Sequence, residues 1–353
     1  MRGLTVVPGR AGTLEISDLP EPVPGPTELL VEGLYLGICG TDREIASGEY
    51  GWPPPERERL VLGHESLGRV VQAPPRSTFA PGDLVVGVVR RPDPEPCPAC
   101  ARGEFDMCRN GLYVERGIKQ IDGYGSERWV VEEDYAVRLD PSLEQVGVLM
   151  EPTTVLAKAW DHIDRIGNRA WYEPRRALIT GAGPIGLLAA LLARQRGLEV
   201  AVIDRIEEGI KPQLVKELGA TYHTAPIPEV TASVKPDVIV ECTGAAQLIF
   251  DAMAHTSVAG IVCLTGVSSA GHAIRVDAGS LNREIVLEND VVFGSVNANL
   301  YHYRLAADAL AAAGPRWLER MITRTLPLER AEEAFDSDPS DVKVVLDLTA
   351  QGR

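Results

Sequence analysis

Residues 175–204, RRALITGAGPIGLLAALLARQRGLEVAVID, decide the fold. An apolar strand, ALIT, runs into Gly181-Ala182-Gly183-Pro184-Ile185-Gly186, which fits G-x-G-x-x-G. The apolar helix LLAALLARQRG follows, and then a second apolar strand ending in Asp204. Glycines in this pattern allow a tight turn, close approach of backbone to a pyrophosphate and close packing of helix on strand. The helix N-terminus then faces the phosphates. A lone glycine pattern is weak evidence, but Asp204 closes the next strand where a ribose-binding carboxylate belongs. Strand, turn, helix, strand and acid together imply a Rossmann dinucleotide site.

Working outward, apolar strands recur at PDVIVECTG, GIVCLTGV and DVVFGSVN, separated by helix-length stretches such as AAQLIFDAMAHTSV. That alternation predicts a mainly parallel, doubly wound sheet. Upstream, the segments LEISDLPEPVPGPTELLVEGLYLG, HESLGRVVQA and PGDLVVGVVR are short, extended and punctuated by Gly and Pro, so an all-β, barrel-like domain precedes the sheet. Downstream, residues 301–335 read as helical and VKVVLDL as a final strand, expected to pack back on the first domain. The expected division is 1–154, 155–300 and a return segment 301–353, in an α/β chain. PPRSTFAPGD and RRPDPEPCP are loops by composition.

At 353 residues and 45% apolar, the chain is long enough for two cored domains. A formal net charge of -15 repels phosphate backbones and anionic lipid, which excludes nucleic acid as a natural partner. No run is long and apolar enough to span a membrane, and no export signal is evident, so a cytoplasmic protein is expected. Six cysteines in such a chain do not read as a disulfide framework. Three of them, Cys97, Cys100 and Cys108, are clustered, which suits a metal; Cys242 and Cys263 lie in apolar strands and are expected in the core.

Cys39, in GICGTD, and His64 and Glu65, in LGHESLG, are ligand types that zinc prefers. Taken singly, such a cysteine is ordinarily a small core residue and such a histidine a satisfied polar one. The order GICGTD, LGHESLGRVV, PGDLVV and then the glycine turn resembles the zinc-dependent medium-chain alcohol dehydrogenases over the whole chain. Within that group, the segments at 122–140, 149–160, 276–290 and 294–303 (GSVNANLYHY) resemble the microbial glucose dehydrogenases.

That resemblance implies a GroES-like catalytic domain joined to the Rossmann domain, a catalytic zinc, a nicotinamide cofactor and an aldose substrate. It places Cys39 and His64 as zinc ligands and Glu65 as ligand or supporting acid. Glu151 is shared between zinc and sugar, Thr41 meets the reacting oxygen, and Glu115 and Asn297 bind the sugar. The cofactor set it implies is Gly181 to Gly186, Asp204, Arg205, Thr265, Gly266, Val267, Ser295, Val296 and Asn297, with Lys343 reaching the cofactor. Asp204 favours NAD because its charge repels a 2′-phosphate, while Arg205 permits NADP. The reacting carbon and nicotinamide must come within roughly 3–3.5 Å.

Cys97, Cys100 and Cys108 resemble the family's structural zinc lobe, where four cysteines are common. With three, Asp93, Glu95 or Asp106 completes the tetrahedron, or the lobe carries no metal. A homo-oligomer, tetramer or dimer, is expected. The rival readings are a polyol or secondary-alcohol dehydrogenase of the same superfamily, and a dinucleotide-binding scaffold without activity.

Overall fold

The computed structural model describes residues 1–268 and 273–349. The chain divides into two compact units, one of residues 1–154 with 297–353 and the other of residues 155–296.

In the second unit, six parallel strands lie in the order Thr221–His223, Glu199–Ile203, Arg176–Thr180, Val238–Glu241, Ile261–Leu264, Val291–Gly294. This is the doubly wound order, which reverses between Arg176–Thr180 and Val238–Glu241 and so opens a crevice at the carboxyl ends of those strands. The four inner strands are largely buried, as cover by helices on each side demands, while the two edge strands are more exposed. Leu178, Ala201, Ile239 and Val262 form its core.

The first unit is built on a mixed seven-stranded sheet. Its order is Ala136–Arg138, Leu84–Gly87, Glu65–Gln72, Glu28–Ile38, Lys343–Asp347, Ile322–Pro327, with Arg128–Glu132 also paired to Glu28–Ile38. Leu36, Ile38, Val344, Leu346, Tyr124 and Trp129 are buried in its core, and the last two meet edge to face at 4.7 Å. The strand Lys343–Asp347 therefore inserts its backbone beside residues 35–38, with Val345 opposite Gly37.

The region read as helical throughout from 301 to 335 is not. Helices Leu300–Ala313 and Pro315–Glu319 are followed by the strand Ile322–Pro327 and a 3-10 turn over Leu328–Phe335. Alternation of Ile322, Thr323, Arg324 and Thr325 suits a pleated strand, and pairing with Lys343–Asp347 overrides the helical rhythm of the residues before it. Among the described residues, no helix is long and apolar enough to cross a membrane.

Candidate active site

The first cluster grows from three neighbouring strand and helix ends. Cys39 ends the strand Glu28–Ile38 and caps the helix Gly40–Ala46, while His64 and Glu65 stand where the adjacent strand Glu65–Gln72 begins. Pairing of Gly37 with Glu65 brings them together. One ligand atom from each of Cys39, His64 and Glu65 lies within 4.8 Å of the others, and Cys39 Sγ is 3.1 Å from His64 Nε2.

Asp42, which the resemblance assigns no role, organises this cluster. It is fully buried, accepts the Cys39 backbone N–H on Oδ2 at 2.9 Å, and sets Oδ1 3.4 Å from His64 Nδ1. A carboxylate behind a histidine fixes which ring nitrogen faces a metal. Its sequence signal is its position three residues after Cys39, where an acidic side chain caps the first helical turn.

The electrostatics of the cluster suit a cation. Burial, the strongest single influence, pushes the Cys39 thiol up, and Asp42 adds to this. Burial alone would lower the His64 imidazole, yet Cys39 and Asp42 together hold it well above the usual histidine range. Thiol, imidazole and carboxylate crowd one another, and this donor set is one that zinc takes once its protons are released.

Glu151, at the start of the helix Met150–Gly167, stands outside the 4.8 Å set. Burial raises its pKa to about 7, opposed by His64 and reinforced by Glu65. It is a half-buried acid poised near neutrality, as expected of a group that works beside a metal.

Lys343, expected at the cofactor, has a different partner. Its ammonium pairs with Glu65 Oε2, and both side chains are almost wholly buried. The pair has room only because residue 37 is glycine: a Cβ there would fall 2.0 Å from Glu65 Oε2 and 2.9 Å from Lys343 Cε. An unpaired carboxylate or ammonium at this depth would be strongly unfavourable, which accounts for the pairing.

Thr41 is the second residue of the helix Gly40–Ala46, directly after the Cys39 turn and half-buried. Glu115 and Asn297, expected to bind sugar, meet each other: Asn297 Nδ2 donates to Glu115 Oε1 at 2.7 Å. Asn297 adopts a left-handed backbone with φ 61°, and its Oδ1 accepts the Ala298 N–H at 2.7 Å, which fixes the amide's direction.

The cysteine lobe forms a second cluster, with Cys97, Cys100 and Cys108 sulfurs within 4.8 Å of one another. Backbone N–H groups of Arg109 and Cys100 lower the Cys97 thiol to about 6, whereas burial lifts Cys100 to about 11. No carboxylate of the described residues joins the sulfurs within that distance. Asp106 is committed to Asn299, whose Nδ2 it accepts at 2.9 Å, and Glu95 is exposed. Asp93 is buried, its backbone N–H meets the Cys100 sulfur, and its Oδ2 has no hydrogen-bond partner.

In the other unit, the glycine turn has the geometry its sequence implies. Gly181 has φ 87°, and a Cβ on Gly186 would lie 1.8 Å from the Gly181 carbonyl oxygen, so neither position tolerates a side chain. Around Gly183, by contrast, nothing lies within 4 Å of where a Cβ would stand, and the backbone is open to a phosphate. Pro184 and Ile185 begin the helix Pro184–Gln195, whose positive end faces that opening.

Asp204 accepts the Ala182 N–H on Oδ2 at 2.6 Å and the Ile206 N–H on Oδ1 at 3.0 Å, so it braces the turn; Arg205 beside it is exposed. Thr265 and Gly266 donate their N–H groups to the Glu241 carbonyl, and Ser295 donates to that of Leu264. Val267 and Val296 are exposed. Cys263 is in the core as expected, while Cys242 is only half-buried at a strand end.

Residues 25–141 match the alcohol dehydrogenase GroES-like domain, and residues 144–348 match the glucose dehydrogenase C-terminus. The chain is 39% identical to a glucose 1-dehydrogenase of Methanocella arvoryzae, covering 99% of this chain and 100% of that one. It is 36% identical to a glucose 1-dehydrogenase of Thermoproteus tenax, covering 99% of each. The glucose dehydrogenase of Haloferax mediterranei, solved in complex with NADP, Zn and gluconolactone, superposes with a TM-score of 0.91. That pair is 32% identical and covers 99% of this chain and 100% of the other. With its cysteine, histidine and glutamate cluster in one unit and its glycine turn in the other, the chain belongs to the glucose dehydrogenase family of the medium-chain alcohol dehydrogenases.

Proposed function

We propose that this protein oxidises an aldose, D-glucose foremost, at the anomeric carbon, transferring hydride to NAD or NADP and releasing the lactone, with one catalytic zinc. The observation that carries the reading is the Cys39, His64 and Glu65 cluster, backed by Asp42 and accompanied in the same unit by the Glu115 and Asn297 pair. The relatives are named glucose 1-dehydrogenases, and the Haloferax structure holds NADP, Zn and gluconolactone together.

In this reading Cys39, His64 and Glu65 hold the zinc, with Glu151 beside them to meet both metal and sugar. Zinc, when bound, supplies a Lewis acid that lowers the pKa of the hydroxyl being oxidised, and the nicotinamide accepts the hydride. Asp42 orients the His64 ring, and Lys343 balances the charge of Glu65 in the buried interior. Thr41 receives and passes on the proton of the reacting hydroxyl. Glu115 and Asn297 grip other hydroxyls of the sugar; a carboxylate suits this task because it can accept several hydroxyl donors at once.

Gly181 to Gly186 cradle the pyrophosphate, Thr265, Gly266, Val267, Ser295 and Val296 hold the nicotinamide end, and Asp204 meets the adenosine ribose. NAD is favoured over NADP because Asp204 is held rigidly at the turn while Arg205 stands exposed. Cys97, Cys100 and Cys108 bind a structural zinc with Asp93 as fourth ligand, supported by the buried and unpartnered Asp93 Oδ2.

We further infer a homo-oligomer, dimer or tetramer, acting in the cytoplasm. Exposed Val286 and Leu287 on the helix Ala278–Glu288, beside the edge strand Val291–Gly294, support the association, and cysteines used as metal ligands rather than in disulfides suit a reducing compartment. Sedimentation of the purified protein tests the former.

Initial rates on glucose, galactose, xylose, sorbitol and a simple secondary alcohol, with NAD and with NADP, test the main reading. An aldose is expected to lead and a lactone to be recovered. Faster turnover of sorbitol or the alcohol would replace the sugar assignment.

A further inference from the structure

Arg90 and Glu115 face each other across the antiparallel pair formed by Arg90–Arg91 and Val114–Arg116. Both side chains are buried, with side-chain exposures of 8% each. A guanidinium meeting a carboxylate commonly grips both oxygens. Here it does not: Nε at 3.0 Å and Nη2 at 2.9 Å both donate to Glu115 Oε1. Asn297 Nδ2 donates to the same oxygen at 2.7 Å. Three donors saturate Oε1, and among the described residues no hydrogen bond reaches Oε2.

The guanidinium itself is held on two further sides. Nη1 donates to the Asp106 carbonyl at 2.9 Å, and the Tyr113 ring lies 3.7 Å beneath the plane. A planar, five-donor group stacked on an aromatic ring is well suited to fix another side chain, whereas a lysine at the same place carries the charge without the fork.

We propose that Arg90 is a positioning residue for sugar recognition, locking Glu115 so that one oxygen is spent on the protein and the other is presented to substrate hydroxyls. The proposal rests on the reading that Glu115 meets the sugar. It makes the hydroxyl-accepting edge of the site depend on a residue that touches no substrate. A ligand that offers paired hydroxyl donors gains from an acceptor held in one orientation, because the ordering cost is met before binding.

The test is Arg90→Lys, which keeps charge and approximate length, measured beside Glu115→Gln and the double variant. In Arg90→Lys the KM for glucose is expected to rise roughly tenfold or more while the KM for the nicotinamide changes less than about twofold. In the Glu115→Gln background the same substitution should cost less than about threefold, because its route to the sugar has already been cut. Tyr113→Leu, at a half-buried site, removes the stacking face and should raise the glucose KM by about threefold, which keeps the idea testable if Arg90→Lys folds poorly.

A folded Arg90→Lys enzyme with unmoved glucose KM overturns the proposal. So does a rise shared equally by both substrates, a loss confined to thermal stability, or, should Arg90→Lys not fold, a Tyr113→Leu enzyme with unmoved glucose KM. If the unaltered protein turns over no aldose at all, the functional reading fails and takes this one with it; aldose turnover with an unmoved KM sinks this one alone.

Discussion

Two clusters of side chains able to ligate a metal lie in the same unit and are built on opposite plans. Around Cys39, His64 and Glu65 the donors are mixed, and charged neighbours surround them: Asp42 behind the histidine, Lys343 on the glutamate, and Glu151 raised to about 7. Around Cys97, Cys100 and Cys108 the three sulfurs are supported by backbone N–H groups, on a loop held by short 3-10 turns, with the buried Asp93 beside them. A site that must change charge state during a reaction needs side chains able to answer that change. One that only pins a loop needs thiols and backbone. The difference supports the proposal that the first cluster serves chemistry and the second serves shape.

The sharpest way to break this comparison is to remove one sulfur from each cluster. Cys39→Ser should lower kcat/KM by at least on the order of a hundredfold and the zinc content by one, since loss of a direct ligand must exceed the ~10–100-fold typical of a supporting partner. Asp42→Asn keeps size but weakens the carboxylate behind His64. A fall of about 10–100-fold in zinc affinity or activity is expected, read by competition with a chelator and by initial rates.

Cys100→Ser should act on the other quantity. The melting temperature is expected to drop by roughly 5 °C or more and the zinc content by one, while the glucose KM stays within about twofold. If Cys100→Ser abolished turnover in a folded protein, the division of labour between the clusters would be wrong.

The smallest effect is one of pH. In zinc-free protein, burial raises the Glu151 carboxyl from 4.5 to about 7. Between these values the unfolded chain gives up its proton while the folded one keeps it, so stability is full below pH 4.5, falls as pH rises to about 7 and then levels off. The lobe has the opposite sign: Cys97, lowered from 9.0 to about 6, adds stability as pH rises from 6 to 9. Thermal melting of zinc-free protein from pH 5 to 9 should show the first slope vanish in Glu151→Gln and the second in Cys97→Ser.

The parts of this molecule legible in its sequence are those whose physics is local. The glycine turn needs a positive φ at Gly181 and no side chain at Gly186, and both demands are written within six residues. Apolar runs of strand length likewise announced the parallel sheet. What stayed hidden is made by distant pairings. Lys343 is 278 positions from Glu65, and only the register of Lys343–Asp347 against Glu28–Ile38 brings them together.

Arg90 offers no signal beyond a pair of arginines in a loop-like stretch, and its partner Glu115 is assigned by strand pairing. The strand Ile322–Pro327 follows a helical rhythm in sequence, and only its pairing with Lys343–Asp347, later in the chain, makes it a strand. Asp42 was within reach, since it lies three residues from Cys39 in a segment already singled out.

Zinc titration into chelator-stripped protein, with glucose and nicotinamide present and reduction of the nicotinamide followed, tests the central claim most directly. Turnover is expected to be absent without metal, to return as zinc fills one site, and not to return in Cys39→Ser. Full turnover in the stripped protein, or full recovery by zinc in Cys39→Ser, would contradict that claim.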